Sequence, residues 1–134
     1  MSEENVTVAQ RSNALFNAGE IDAAFELCHA DIEFRDLQSA PDVPEAVHGR
    51  EALRLVLGQW IDSFAELRVD ASDYTDEGPW VIADVRWRGK GKGSDVVVDT
   101  RQADACRIED GKIVEWIVGY RDVEAALADL GLAD

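Results

Sequence analysis

Apolar positions follow a helical period early in the chain and a strand period later. From Val6 to Ala18 they fall at Val8, Leu15 and Phe16, and Gly19 follows as a helix-ending glycine would. Ile21, Ala24, Phe25 and Cys28 predict a short second helix over 21–28. Ile32, Phe34 and Asp36 alternate with Glu33 and Arg35, giving a short strand whose buried-face series ends in a carboxylate. A loop with Pro41 and Pro44 leads to His48-Gly49. From Glu51 the helical period returns through Leu53, Val56, Leu57, Trp60 and Phe64. The rest is β-rich. Leu67, Val69 and Ala71 alternate up to the turn Asp76-Glu77-Gly78-Pro79. Strands over Trp80–Arg88 and Val96–Ile108 flank a hairpin loop at Gly89–Ser94. Asp110-Gly111 signals a type I′ turn into a last strand, Ile113–Tyr120. Asp122 suits the N-cap of a short final helix through Leu130, closed by Gly131. The order α-α-β-α-β-β-β-β predicts one α+β domain over 1–134: a curved antiparallel sheet with helices on its concave face, forming a cone around a cavity.

Strand parity decides which side chains enter that cavity. Val81, Ala83, Val85 and Trp87 share one face of their strand, and Asp84, Arg86 and Arg88 the other. In the long strand Val96, Val98, Thr100, Gln102, Asp104, Cys106 and Ile108 share a face, while Asp99, Arg101 and Arg107 share the other. The charged sets match as a solvated ladder, so the apolar sets look inward together. Parity also turns Trp116, Val118 and Tyr120 inward. Asp36 and Asp104 then point into an apolar interior lined by Phe16, Trp60, Phe64, Trp87, Trp116 and Tyr120. Carboxylates are rarely placed so without a partner or a task. Burial raises the pKa of a carboxyl group, and a second carboxyl raises it further. Such a pair can supply both a proton acceptor and a proton donor.

Charge narrows the field of partners. The chain carries 13 basic and 28 acidic residues, a net charge of −15. That surface repels phosphate backbones and anionic lipid, so neither nucleic acid nor membrane is an expected partner. Two lone cysteines, Cys28 and Cys106, sit in apolar patterns and read as reduced core residues, which makes the cytoplasm the expected compartment. The acidic, polar Met1-Ser2-Glu3-Glu4 is unlike a secretion signal. His29 and His48 lie far apart, with no metal-ligand spacing, so no metal is expected.

The chain resembles the SnoaL-like branch of the nuclear transport factor 2-like superfamily, which has a cystatin-like fold. The carrying pieces are Asn17-Ala18-Gly19-Glu20-Ile21-Asp22, then Ala30 through Asp36, His48-Gly49-Arg50-Glu51-Ala52, and Asp110 through Trp116 with Tyr120 and Asp122. Gln10 through Gly19 also looks like the first helix of bacterial ketosteroid isomerases. That resemblance implies that Asp36 stands where those enzymes keep a proton-shuttling carboxylate, and Asp104 where they keep a protonated acid donating to an enolate oxygen. Ser12 stands where they have a tyrosine donor. Polyketide cyclases of the SnoaL group share the overall pattern. The acid and arginine order of limonene-type epoxide hydrolases is not matched.

The reading is of a hydrophobic small-molecule partner and proton transfer next to a carbonyl, of isomerase or cyclase type and without a cofactor. Asp36 would move the proton, and Asp104 and Tyr120 would bond the oxygen. Ser12, Phe16, His48, Trp60, Phe64, Trp87, Gln102 and Trp116 would line the ligand site. Plainer roles compete: Asp36 accepting backbone N–H bonds in its turn, Asp104 a buried acid bonded to Gln102, Tyr120 or an indole, His48 a capping residue. A non-catalytic binding module and a homodimeric structural domain are the alternatives. Ile117, Val97 and Ala105, apolar residues on the charged face, fit an expected homodimer.

Overall fold

The computed structural model describes residues 2–38 and 46–132. Pro41 and Pro44 lie outside them. Helix α1 (Ser2–Asn17) begins earlier than its apolar spacing implies, because its first turn is polar. It ends in a Schellman arrangement: Gly19 takes φ +80°, Glu20 N–H reaches Leu15 O at 2.9 Å, and Gly19 N–H reaches Phe16 O at 3.1 Å. The Asn17 side chain then ties the helix to the sheet. Its amide donates to Val69 O at 2.6 Å and its oxygen accepts from Val69 N–H at 2.9 Å, satisfying both backbone groups of one strand residue.

Helix α2 (Ile21–Glu26) is shorter than predicted, since Cys28 already opens strand β1 (Cys28–Asp36). The segment before Gly49 contributes a short strand, β2 (Ala46–His48), where a loop was expected. Helix α3 (Arg50–Asp62) stops before Phe64, which begins β3 (Phe64–Glu77). Strands β4 (Trp80–Gly91), β5 (Val97–Glu109) and β6 (Lys112–Tyr120) follow, and α4 (Val123–Asp129) closes the fold. The Asp110-Gly111 turn has positive φ at both residues, +52° and +77°, as a type I′ hairpin requires. Asp122 caps α4 by accepting Ala125 N–H at 2.8 Å. No described helix is long and apolar enough to cross a membrane.

The strands form one curved, open sheet in the order β2-β1-β6-β5-β4-β3. It is mixed rather than wholly antiparallel: β1 runs parallel to β6, pairing Phe34 with Trp116 and Asp36 with Val118. Two apolar clusters fill one face. The first gathers Phe25, Ile32, Phe34, Val47, Leu53 and Ile113, and the second Val69, Ala83, Val85 and Trp87. Helices α1, α2 and α3 cover this face, but α4 packs on the reverse, over Ile82, Ala103, Ala105 and Ile117. Ile117 and Ala105, expected to face a partner subunit, are therefore buried within the chain. Val97 of the same expected patch is 70% exposed. The predicted charge ladder is present beside it, where the Arg86 guanidinium grips Asp99 through bonds of 2.9 and 2.7 Å and Arg88 pairs with Asp70.

Two of the sheet's β-bulges bear most on the site by breaking simple alternation. On β3, Ser72 pairs with Asp84 and Thr75 with Ile82, so Asp73 and Tyr74 together oppose Ala83. Asp73 takes φ +50°. On β6, Ile117 pairs with Ala105 and Tyr120 with Ala103, so Val118 and Gly119 oppose Asp104. Gly119 takes φ +98°. Each bulge reverses the face of every residue beyond it, and both lie beside the cavity.

Candidate functional site

The helix-covered face encloses a cavity of about 120 Å³. Ser12, Asn13 and Phe16 of α1, Ile21, Ala24 and Phe25 of α2, and Leu57 of α3 close it on the helical side. Val69, Ala71 and Tyr74 of β3, Val81, Ala83, Val85 and Trp87 of β4, Asp104 and Cys106 of β5, and Trp116 of β6 form much of the sheet side. An apolar protein cavity of ~150 Å³ accommodates benzene. This one therefore suits a single ring or a compact branched body.

Asp104 is the buried charged side chain among the described residues, at 9% exposure. Its alternation with Gln102 and Cys106 on β5 aims it inward, as parity predicts. Three donors hold it. Oδ1 accepts Gln102 Nε2–H at 2.8 Å and Gly119 N–H at 3.0 Å, and Oδ2 accepts Trp87 Nε1–H at 3.1 Å. Burial pushes its carboxyl up to about 6; the three hydrogen bonds oppose the rise and the nearby Asp36 adds to it. At neutral pH the group is mostly ionised, and every protein hydrogen bond to it is one a carboxylate accepts. The rise runs in the direction that the resemblance implied for this position, but it stops short of a group that is neutral at pH 7. Oδ2, with one partner against two for Oδ1, keeps the greater acceptor capacity.

Of the residues read from the sequence, Ser12, Phe16, Trp87, Asp104 and Trp116 meet at the cavity. Gln102 does not line it but orients the Asp104 carboxylate. Asp36 ends β1 half-buried and accepts Gln38 N–H at 3.0 Å, the turn role that parity alone could not dismiss. It is absent from the cavity lining, although close enough to Asp104 to act on it electrostatically.

The inward placement of Tyr120 is corrected. Because Gly119 inserts an extra residue, Tyr120 turns to the reverse face, where its hydroxyl donates to Asp129 Oδ2 at 2.6 Å under α4. His48 is exposed on β2, with Nδ1 at 3.6 Å from Glu33. Trp60 and Phe64 stand behind the wall rather than in it. Trp60 is 38% exposed and packs edge-on against Trp87 (5.3 Å between centroids) and Phe64 (5.0 Å), while Phe16 meets Trp87 from the other side at 5.9 Å.

The cavity does contain a phenol, from an unforeseen strand. Alternation from Val69 and Ala71 would turn Asp73 inward and Tyr74 outward; the bulge reverses them. Burial raises the Tyr74 pKa, so its hydroxyl stays protonated and able to donate. Cys28 and Cys106 also line the cavity. Burial pushes their thiols up to about 11 and about 12, which leaves them un-ionised and poor nucleophiles.

Solved structures with the same architecture include a protein of unknown function with a cystatin-like fold from Xanthomonas campestris. It is 23% identical, with a TM-score of 0.73, over 84% of this chain and 86% of that one. A Catenulispora acidiphila protein with a ketosteroid isomerase-like fold, in complex with trimethylamine, is 18% identical, with a TM-score of 0.72, over 94% and 93% of the two chains. A Burkholderia pseudomallei NTF2-like protein of unknown function is 14% identical, with a TM-score of 0.75, over 93% and 95%. At these identities the likeness is one of fold. Among curated proteins none matches the chain. The SnoaL-like domain, however, matches residues 9–116, most of the length and every element from α1 into β6, and the chain belongs to that family.

Proposed function

We propose that the chain binds a small hydrophobic carbonyl compound and that Asp104 moves a proton at the carbon beside the carbonyl. The supporting observation is one buried, three-times hydrogen-bonded carboxylate facing a ring-sized apolar cavity. Asp104 Oδ2 takes the proton from carbon, charge develops on the carbonyl oxygen, and the same carboxyl returns the proton to another carbon. A base whose pKa lies near the working pH is suited to both halves of that cycle. Tyr74 is the cavity's protonated phenol and the candidate donor to the oxygen; Ser12 and Asn13 are further polar neighbours.

The test is deuterium incorporation in D2O, followed by proton NMR, with 3-cyclohexen-1-one and cyclohexanone as probes. Exchange beside the carbonyl is expected to rise with pH through about 6 and to fall ~10²-fold or more in Asp104→Asn. Equal exchange by the wild type and Asp104→Asn overturns the reading. A second reading, a binding module without turnover, draws on the turn role of Asp36, which leaves one carboxylate in the cavity instead of two. It is also consistent with the trimethylamine held by the Catenulispora relative. Saturable binding of cyclohexanone with no exchange would favour it.

A further inference from the structure

We infer that the cavity selects small apolar cations: its preferred ligand is a protonated amine on a compact hydrocarbon body, seated with its N–H against Asp104 Oδ2. This rests on the reading of Asp104 as a carboxylate facing the cavity, and concerns what it attracts rather than what it catalyses.

The charge inventory carries the argument. Among the described residues no lysine, arginine or histidine lines the cavity. The three groups that hold Asp104 are a side-chain amide, a peptide N–H and an indole N–H, all neutral. Among the described residues no cationic side chain is seen to act on the carboxylate, and the charged residue that does, Asp36, has the same sign. A buried carboxylate without a counter-charge is costly, and three neutral dipoles offset only part of that cost. A ligand bringing a positive charge supplies what the protein leaves out, while an anion meets Asp104 and Asp36 together.

The walls suit the same ligand. Phe16, Phe25, Tyr74, Trp87 and Trp116 all contribute to the lining. Ring faces attract a desolvated ammonium and its polarised methyl groups, and the remaining aliphatic wall covers the hydrocarbon body. The volume of about 120 Å³ limits that body to a branched C4 group or one ring. The net charge of −15 favours the approach of any cation, but only the buried carboxylate gives a preference that survives salt.

Among the described residues, the titratable groups beside Asp104 or in the cavity with it are Asp36 and Cys28 on β1, Tyr74 on β3 and Cys106 on β5. The two thiols and the phenol hold their protons throughout the neutral range. Loss of cation binding on acidification therefore follows the Asp104 carboxylate.

The experiment is calorimetric titration of the full chain at pH 8 with tert-butylammonium, tert-butanol and pivalate, three ligands that share a hydrocarbon body and differ in charge. The ammonium is expected to bind about ten-fold more tightly than the alcohol, the difference between a charge-assisted and a neutral hydrogen bond. Pivalate is expected not to bind. The preference should persist in 0.5 M NaCl, disappear in Asp104→Asn, and weaken in the wild type between pH 7 and pH 5 while the amine stays protonated. Equal affinity for ammonium and alcohol overturns the inference. So does a preference that 0.5 M NaCl abolishes, since that belongs to the surface field. The wild-type salt and pH arms decide the matter even if Asp104→Asn fails to fold. A failed cation preference leaves deuterium exchange at ketones untouched, and failed exchange leaves the cation preference standing.

Discussion

The ionised Asp104 carboxylate should weaken the fold, and the size of that effect can be worked out. Its pKa stands at about 6 in the folded protein against an ordinary value of 3.8. Between those values the folded state binds more protons than the unfolded chain, so stability falls as pH rises from 4 to 6 and then levels off. The gap, at ~1.36 kcal/mol per decade, amounts to about 3 kcal/mol. Asp104→Asn removes the titration and keeps the shape. Its amide nitrogen, turned toward Trp87 Nε1–H, loses that hydrogen bond at a pH-independent cost of ~1 kcal/mol. The variant should therefore be slightly less stable than the wild type at pH 4 and more stable by ~2 kcal/mol at pH 8. Urea denaturation of both proteins from pH 4 to pH 8 measures the difference, in which the other titrating carboxylates cancel. A difference that stays flat with pH, or one that favours the wild type more as pH rises, refutes the assignment of Asp104 as a dry carboxylate.

Three further outcomes follow from the same geometry. Trp87→Phe removes a donor that lowers the Asp104 pKa, so the midpoint of the pH-dependent exchange should move upward; a downward move would contradict the bond between them. Gly119→Ala sets a side chain at φ +98°, with its Cβ 3.1 Å from Gln38 Cγ, and should cost ~2 kcal/mol or more in urea denaturation; an unchanged midpoint would mean the bulge relaxes freely. Tyr120→Phe loses the bond to Asp129 under α4 and should lower stability by ~1 kcal/mol while leaving cyclohexanone affinity unchanged, whereas Tyr74→Phe should change ligand affinity.

Most elements were legible because their signals are local. Asp110-Gly111 required positive φ and took it, Asp122 capped a helix, and parity correctly aimed Val81, Ala83, Val85, Trp87, Asp104 and Cys106. What escaped depended on pairing between strands. The parallel contact of β1 with β6 joins residues some eighty positions apart and has no local trace. Strand β2 owes its existence to Val47 filling a gap beside Phe34, in a segment too short for a period. Tyr120 was turned inward and Tyr74 passed over because a bulge is a count of residues across two strands, whereas parity counts along one. Gly119 inside an apolar strand was a usable sign of that break. Asp73 gave none, because a non-glycine residue there adopts positive φ only under the pull of the surrounding ladder. Trp60 and Phe64 followed the helical period faithfully, yet the helix ended between them, and together they buttress Trp87 instead of meeting a ligand.

The bulge on β6 makes chain length, as much as residue identity, a determinant of the interior. Removing the single position 119 would erase the bulge and restore plain alternation between Ile117 and the tyrosine that follows. Tyr120 would stay opposite Ala103 on the reverse face, beneath the last helix, while the acid would lose the peptide N–H that Gly119 gives it. One codon lost from the gene would thus retune the base while leaving the outer helix anchored.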